Sequence, residues 1–379
     1  MNEAWLRREV WPRFSRVLAR SAIYLANHSL GRPPDRMADD VRSGIDAWYR
    51  DMGAAWDLWT EARERFRALT AKLVDAPRPD CIVPKTSAGQ GLRAVLNALE
   101  GKPRVRTTDG EFDSIDFILR VYREKGRIEL QSVPWQELEP AGADLVVLSS
   151  VMFRTGEIVP ELQPLVRRAH AAGAKVLLDV YHGAGVVPTH LAALDVDFAV
   201  GGSYKYLRGG PGACWLYVRP DHLAALRTLD TGWFAKEDVF SYLRPDPPRY
   251  GTGGDAWLES TPPVLAPYQA LAGLELVLEL GVERLRAYSL FQKRILHERL
   301  QAAGVRADGE GEDHGAFLTV KHPNASDLAS ELEERGLEAD ARGDRLRLCP
   351  DILNGAAELE RAAALIGSLA NQSRLSAGV

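Results

Sequence analysis

Asp179 and Lys205 are residues of the types, and in the setting, that covalent carbonyl chemistry needs. Lys205 lies in Gly201-Gly-Ser-Tyr-Lys-Tyr-Leu-Arg-Gly-Gly-Pro-Gly212, and only nine of the 47 basic residues are lysines. Enclosing an ammonium in a glycine-rich turn costs free energy unless the site uses it, which fits a Schiff-base lysine. The carbonyl partner of such a lysine is pyridoxal 5′-phosphate, whose pyridine nitrogen stays protonated, and so withdraws electrons, beside a carboxylate. Asp179 closes an apolar run 26 residues before the lysine and can be that carboxylate. Alone, an aspartate there could be a turn former or a helix cap, and His182 could be a satisfied core histidine. The surrounding glycines let backbone approach a cofactor and tie the three side chains into one set.

Such groups must be carried by strands that end side by side. Residues 144–151 read as a buried strand, 161–172 as a helix with Leu162, Leu165, Val166 and Ala169 at helical spacing, and 175–180 as a second strand after Gly173. This order predicts a parallel pair. Residues 213–218 add a further buried strand, and Pro245 to Pro248 mark a loop. The last third reads as a helix over 281–304, a strand over 316–321, a helix over 326–335, a strand over 345–349 and a final helix from about 356. The expected architecture is α/β. Residues 1–45, apolar at Trp5, Val10, Phe14, Val17 and Leu18, pack on the small domain. Residues 46–264 make a large cofactor-binding domain with a mainly parallel sheet, and residues 265–379 a smaller α+β domain.

With 379 residues, 46% hydrophobic and a net charge of −5, the chain is a globular protein without a basic footprint for nucleic acid. No stretch approaches the ~20 apolar residues of a membrane span, and Arg7, Arg8 and Glu9 interrupt any signal-peptide core. The expected location is the cytoplasm. Cys81, Cys214 and Cys349 form no C-x-x-C pair, so neither a disulfide framework nor a structural metal site is expected.

Asp179-Val-Tyr-His182 together with Ser203-Tyr-Lys-Tyr-Leu-Arg-Gly-Gly-Pro-Gly212 resembles the paired motifs of kynureninases, class V aminotransferase-like enzymes of pyridoxal-phosphate fold type I. Tyr24-Leu-Ala-Asn-His-Ser-Leu-Gly31 resembles the family's Tyr-Leu-x-x-Asn-Ser-Leu-Gly, and Ser149-Ser-Val-Met-Phe-Arg-Thr-Gly156 its Ser-x-Val-Asn-Tyr-Arg-Thr-Gly. Gly232-Trp-Phe234 and Thr261-Pro-Pro263 also match. Two segments depart from the pattern: Phe112-Asp-Ser-Ile115 stands for Phe-Pro-Ser/Thr-Asp, and Met152-Phe153 for Asn-Tyr. Both touch substrate recognition more than cofactor chemistry.

The resemblance implies a role for each matched residue. Lys205 is the cofactor lysine, Asp179 the partner of the pyridine nitrogen, with His182 nearby, and Tyr204 a group for proton work or phosphate contact. Ser87, with Thr86, matches a phosphate-binding position at a helix N-terminus, where N–H groups and the helix dipole favour an anion. Phe112, followed by Ser114, matches the ring that stacks on the pyridine, and Trp233 and Thr261 match phosphate or substrate-side positions. Arg347 matches the receiver of the substrate α-carboxylate, with Ser29 and Phe234 on the substrate side. The implied reaction is hydrolytic Cβ–Cγ cleavage of L-kynurenine or 3-hydroxykynurenine to alanine and anthranilate or 3-hydroxyanthranilate, in a homodimer. Transamination, cysteine desulfuration, another β-lyase reaction and a regulatory binding role are the alternatives.

Overall fold

The computed structural model describes residues 1–376, and their side chains as far as Ala370. The chain opens with a helix, Glu3–Glu9, whose first turn Asn2 caps by accepting from Trp5 N. Leu6, Val10 and Phe14 are buried in the main core, beside Ile352 and Leu353. Ile23 and Leu25 instead enter a second core. Strand β1 (Ile23–Tyr24) is held there by a parallel pairing with the C-terminal third. The first 45 residues therefore meet both cores, because their apolar positions fall in two groups separated by the turn near residue 20.

After helices Arg36–Asp51 and Ala55–Leu73 comes the central sheet. Its strands are β2 (Ile82–Lys85), β3 (Arg104–Thr108), β4 (Glu129–Val133), β5 (Leu145–Ser149), β6 (Lys175–Asp179), β7 (Phe198–Gly202) and β8 (Cys214–Val218). They lie in the order β2-β8-β7-β6-β5-β3-β4. Only β8 runs antiparallel to its neighbours β2 and β7; the rest pair in parallel. Every residue of β5, β7 and β8 is buried, as in a sheet covered on both faces. The expected strand, helix and strand are β5, Leu162–Ala171 and β6, and β5 and β6 are parallel with Ser149 opposite Asp179. The carboxyl ends of β3, β5, β6 and β7 thus lie side by side, the place where open α/β sheets take their ligands.

In the last third, helix Ala266–Leu280 still packs in the main core through Ala270, Leu271, Leu274 and Val277. Helix Val282–Ala302 leads to β9 (Leu318–Lys321), helix Ala325–Glu334, β10 (Leu337–Glu338), β11 (Asp340–Arg342), β12 (Arg345–Leu348) and helix Ala356–Ser376. Strands β11, β12 and β9 form an antiparallel sheet, and β10 pairs with β1. Leu296, Leu300, Val320, Leu328, Leu346 and Ile366 fill the second core beneath it. Among the described residues no helix is long and apolar enough to cross a membrane.

Candidate active site

Asp179 is the last residue of β6, and Lys205 lies just past the end of β7, so two adjacent parallel strands deliver both into one cavity of about 240 Å³. Asp179 is buried and accepts from Tyr181 N at 2.8 Å. Burial pushes its pKa up, although the nearby Lys205 opposes this, and burial pushes the Lys205 ammonium down against the pull of Asp179. The Lys205 amine lies 2.6 Å from His182 Nε2. His182 is also buried, and desolvation together with Lys205 holds it well below its usual pKa, so the imidazole is neutral. The rings of Tyr181, Phe112 and Tyr204 surround Lys205 Nζ at 5.5, 5.7 and 5.9 Å from their centroids.

Glycines make this crowding possible. A Cβ on Gly31 would lie 1.8 Å from the Lys205 carbonyl oxygen, and one on Gly202 would lie 2.4 Å from the Tyr181 ring. On the open side, Ser87 caps helix Ala88–Leu96 by accepting from Gln90 N at 3.1 Å. Thr86 and Ser87 are exposed at that helix start and line the cavity, and the first turn of a helix carries N–H groups without an intrahelical partner. Phe112 occupies the N-cap position of helix Asp113–Glu124, which places Ser114 in its first turn. Eight of the expected cofactor residues, Thr86, Ser87, Phe112, Ser114, Asp179, His182, Tyr204 and Lys205, line this single cavity.

Trp233 and Thr261 do not. Trp233 Nε1 donates to Thr261 Oγ1 at 3.1 Å, and Thr261 and Phe234 line an adjoining pocket of about 200 Å³ walled by Trp56 and Trp59. That pocket shares Thr86, Gly212 and Cys214 with the Lys205 cavity. Arg347 is buried and already engaged: Nε and Nη2 donate to Asp340 at 2.8 and 2.6 Å, and Nη1 donates to the Phe153 carbonyl. Ser29 Oγ, too, donates to Asp340, at 2.9 Å, and His28 Nε2 lies 2.8 Å from it. These neighbours hold the Asp340 carboxyl far below the usual range, while burial and Arg347 lower His28 to about 4.

Sequence reasoning missed Asp340 and Glu111. Asp340 becomes visible only when β11 pairs with β12 and sets it opposite Arg347. Glu111 carried a usable signal, since it follows the β3 strand end much as Asp179 ends β6. The donor set fits pyridoxal phosphate: an enclosed amine, a carboxylate across the cavity, a ring wall, and exposed hydroxyls at a helix start. His182 Nδ1 is buried without a partner, leaving one polar atom unsatisfied beside the amine.

Fold and site together define an α/β enzyme of pyridoxal-phosphate fold type I. The family model for aminotransferase class-V matches residues 48–349. A kynureninase of Salinispora tropica is 31% identical over 87% of this chain and 85% of its own, and one of Bacillus anthracis is 28% identical over 86% and 83%. The chain belongs to the aminotransferase class-V family, in the kynureninase group. Its cofactor is pyridoxal 5′-phosphate. The cystine C–S lyase C-DES, solved with glycine covalently linked to its pyridoxal-phosphate cofactor, has the same fold, with a TM-score of 0.84, 18% identity and coverage of 94% of this chain and 98% of its own.

Proposed function

We propose that this chain hydrolyses the Cβ–Cγ bond of L-kynurenine or 3-hydroxykynurenine, releasing alanine and anthranilate or 3-hydroxyanthranilate. The carrying observation is the likeness to curated kynureninases along 87% of the chain, with Lys205 and Asp179 facing one cavity. Bound pyridoxal phosphate supplies an electron sink for negative charge at the amino-acid α-carbon. Lys205 holds the cofactor and moves the α-proton, a task suited to an amine whose proton affinity burial has lowered. Asp179 keeps the pyridine nitrogen protonated, Phe112 covers the ring, and Ser87 with Thr86 and the helix start hold the phosphate. Tyr204 lines the cavity for proton transfer at the substrate carbonyl, which water attacks.

Arg347 receives the α-carboxylate through the two N–H groups that Asp340 and Phe153 leave free among its five. Trp233, Phe234 and Thr261 lie outside their own chain's Lys205 cavity. In this reading a second copy of the chain presents them to it, as a homodimer. Desulfuration fits less well, because it needs a reactive thiolate: all three cysteines are buried, and desolvation raises Cys81 to about 11 and shifts Cys214 and Cys349 upward as well.

Two measurements test the proposal. Borohydride reduction and peptide mapping should place a pyridoxyl group on Lys205, and a label on Lys175 would sink the assignment. Incubation with L-kynurenine or 3-hydroxykynurenine should yield the aryl amine and alanine in equal amounts. With 2-oxoglutarate added, glutamate without anthranilate would move the chain to transamination, and sulfide from added cysteine would move it to the C–S lyase reading.

A further inference from the structure

One buried acid, hydrogen-bonded to a residue of the cavity wall, has no part in the chemistry proposed at Lys205. Glu111, just beyond β3, is 4% exposed, and all three of its hydrogen bonds come from neutral groups. Its Oε1 accepts from Ser149 N at 3.0 Å and from Thr108 Oγ1 at 2.6 Å, and its Oε2 lies 2.6 Å from Ser149 Oγ. Ser149 itself lines the Lys205 cavity and is the register partner of Asp179.

A hydroxyl carries a single proton, so its direction depends on what Glu111 offers. When Glu111 is ionised, the Ser149 proton is committed to Oε2 and the cavity meets only oxygen lone pairs. When Glu111 is protonated, the backbone N–H of Ser149 still requires Oε1 as an acceptor, so the acid proton sits on Oε2 and is donated to Ser149 Oγ. The serine's own proton is then released toward the cavity and Asp179. We propose that Glu111 is a positioning residue that switches the Ser149 hydroxyl between an acceptor and a donor facing Asp179.

The surroundings set the switch near neutral pH. Burial raises the Glu111 pKa to about 7, with a contribution from the Asp179 charge, and the hydrogen bonds from Ser149 and Thr108 oppose the rise. The charged and titratable groups facing it are Asp179 on β6 and, beyond it, Lys205 with its partner His182. A donor from Ser149 competes for the Asp179 oxygens that serve the pyridine nitrogen. This last consequence rests on the cofactor reading; the switch itself does not.

Infrared titration of the apoprotein decides the switch without cofactor. Wild type should lose a carboxylic-acid carbonyl band as pH rises through neutrality; the band should persist in Asp179→Asn and be missing from Glu111→Gln. Ser149→Ala removes a hydrogen bond to the carboxylate and should raise the midpoint by about one pH unit, a tenfold change in proton affinity. No band assignable to Glu111, or an unmoved midpoint in Ser149→Ala, overturns the proposal. In the holoprotein the cofactor absorbance should titrate near neutrality. Glu111→Gln should freeze it in its low-pH form and Ser149→Ala in its high-pH form. A preparation with the expected apoprotein titration that fails to bind cofactor would count against the cofactor reading alone.

Discussion

Asp340 gathers three side chains, those of Arg347, His28 and Ser29, on one carboxylate. The sequence places Arg347 on a strand with a carboxylate-binding role implied by resemblance, and the structure finds that arginine already gripped from the side by Asp340, with His28 and Ser29 on the same carboxylate. Lys205 and Asp179 were legible because composition marks them: a rare lysine among glycines, and an acid closing an apolar run. Asp340 was not, since one more acid in a charged stretch gains meaning only from the residue across the ladder. The Arg347 side chain is 3% exposed and that of Asp340 16% exposed. Removing one partner from such a pair leaves an uncompensated charge, which costs about 3–5 kcal/mol. Asp340→Asn should therefore lower the stability measured by denaturant unfolding by that order, and adding Arg347→Met should recover part of the loss. A loss under about 1 kcal/mol, the range of exposed pairs, would mean that solvent reaches the pair.

At the scale of elements, the strands and helices with a sustained hydrophobic period were readable, and their ends fell within a few residues of the expected ones: 161–172 against Leu162–Ala171, and 281–304 against Val282–Ala302. The strands β10 and β11 were not readable. With two and three residues they have no period, and pairing with β1 and β12 is what makes them strands. The loop carrying Lys205 is likewise fixed from outside, since Gly31 N donates to the Tyr204 carbonyl at 2.7 Å. A methyl group at Gly31 would lie 1.8 Å from the Lys205 carbonyl, against backbone that cannot swing aside. Gly31→Ala should shift the lysine by about an ångström and reduce turnover roughly 100-fold, with circular dichroism close to wild type. Gly53→Ala, where nothing lies within 4 Å, is the control and should behave as wild type. Equal turnover in the two variants would show that the Lys205 loop tolerates displacement.

At the scale of the whole molecule, the tryptophans take different fates. Trp257 is fully buried and Trp59 nearly so, whereas Trp48 is 57% exposed. From Trp48 a chain of ring contacts runs through Trp59, Trp56, Phe240 and Trp233 to Tyr242, with successive centroids 5.3 to 6.0 Å apart. Tyr49, Met52 and Leu243 are exposed apolar residues as well, and exposed apolar surface of this kind suits a protein partner. The chain of rings adjoins the pocket that holds Thr261 and Phe234 and shares a wall with the Lys205 cavity. In the proposed dimer, two-fold symmetry would let each copy lend these residues to the other. Lys205→Ala and Trp233→Ala should each abolish turnover when pure. Mixed in equal amounts and allowed to exchange, half of the dimers carry one copy of each variant. If Trp233 serves the partner's cavity, one of the two sites in those dimers has both native residues, and the mixture should regain about a quarter of wild-type activity. If Trp233 serves its own chain, both sites of every hybrid lack one residue, and mixing restores nothing.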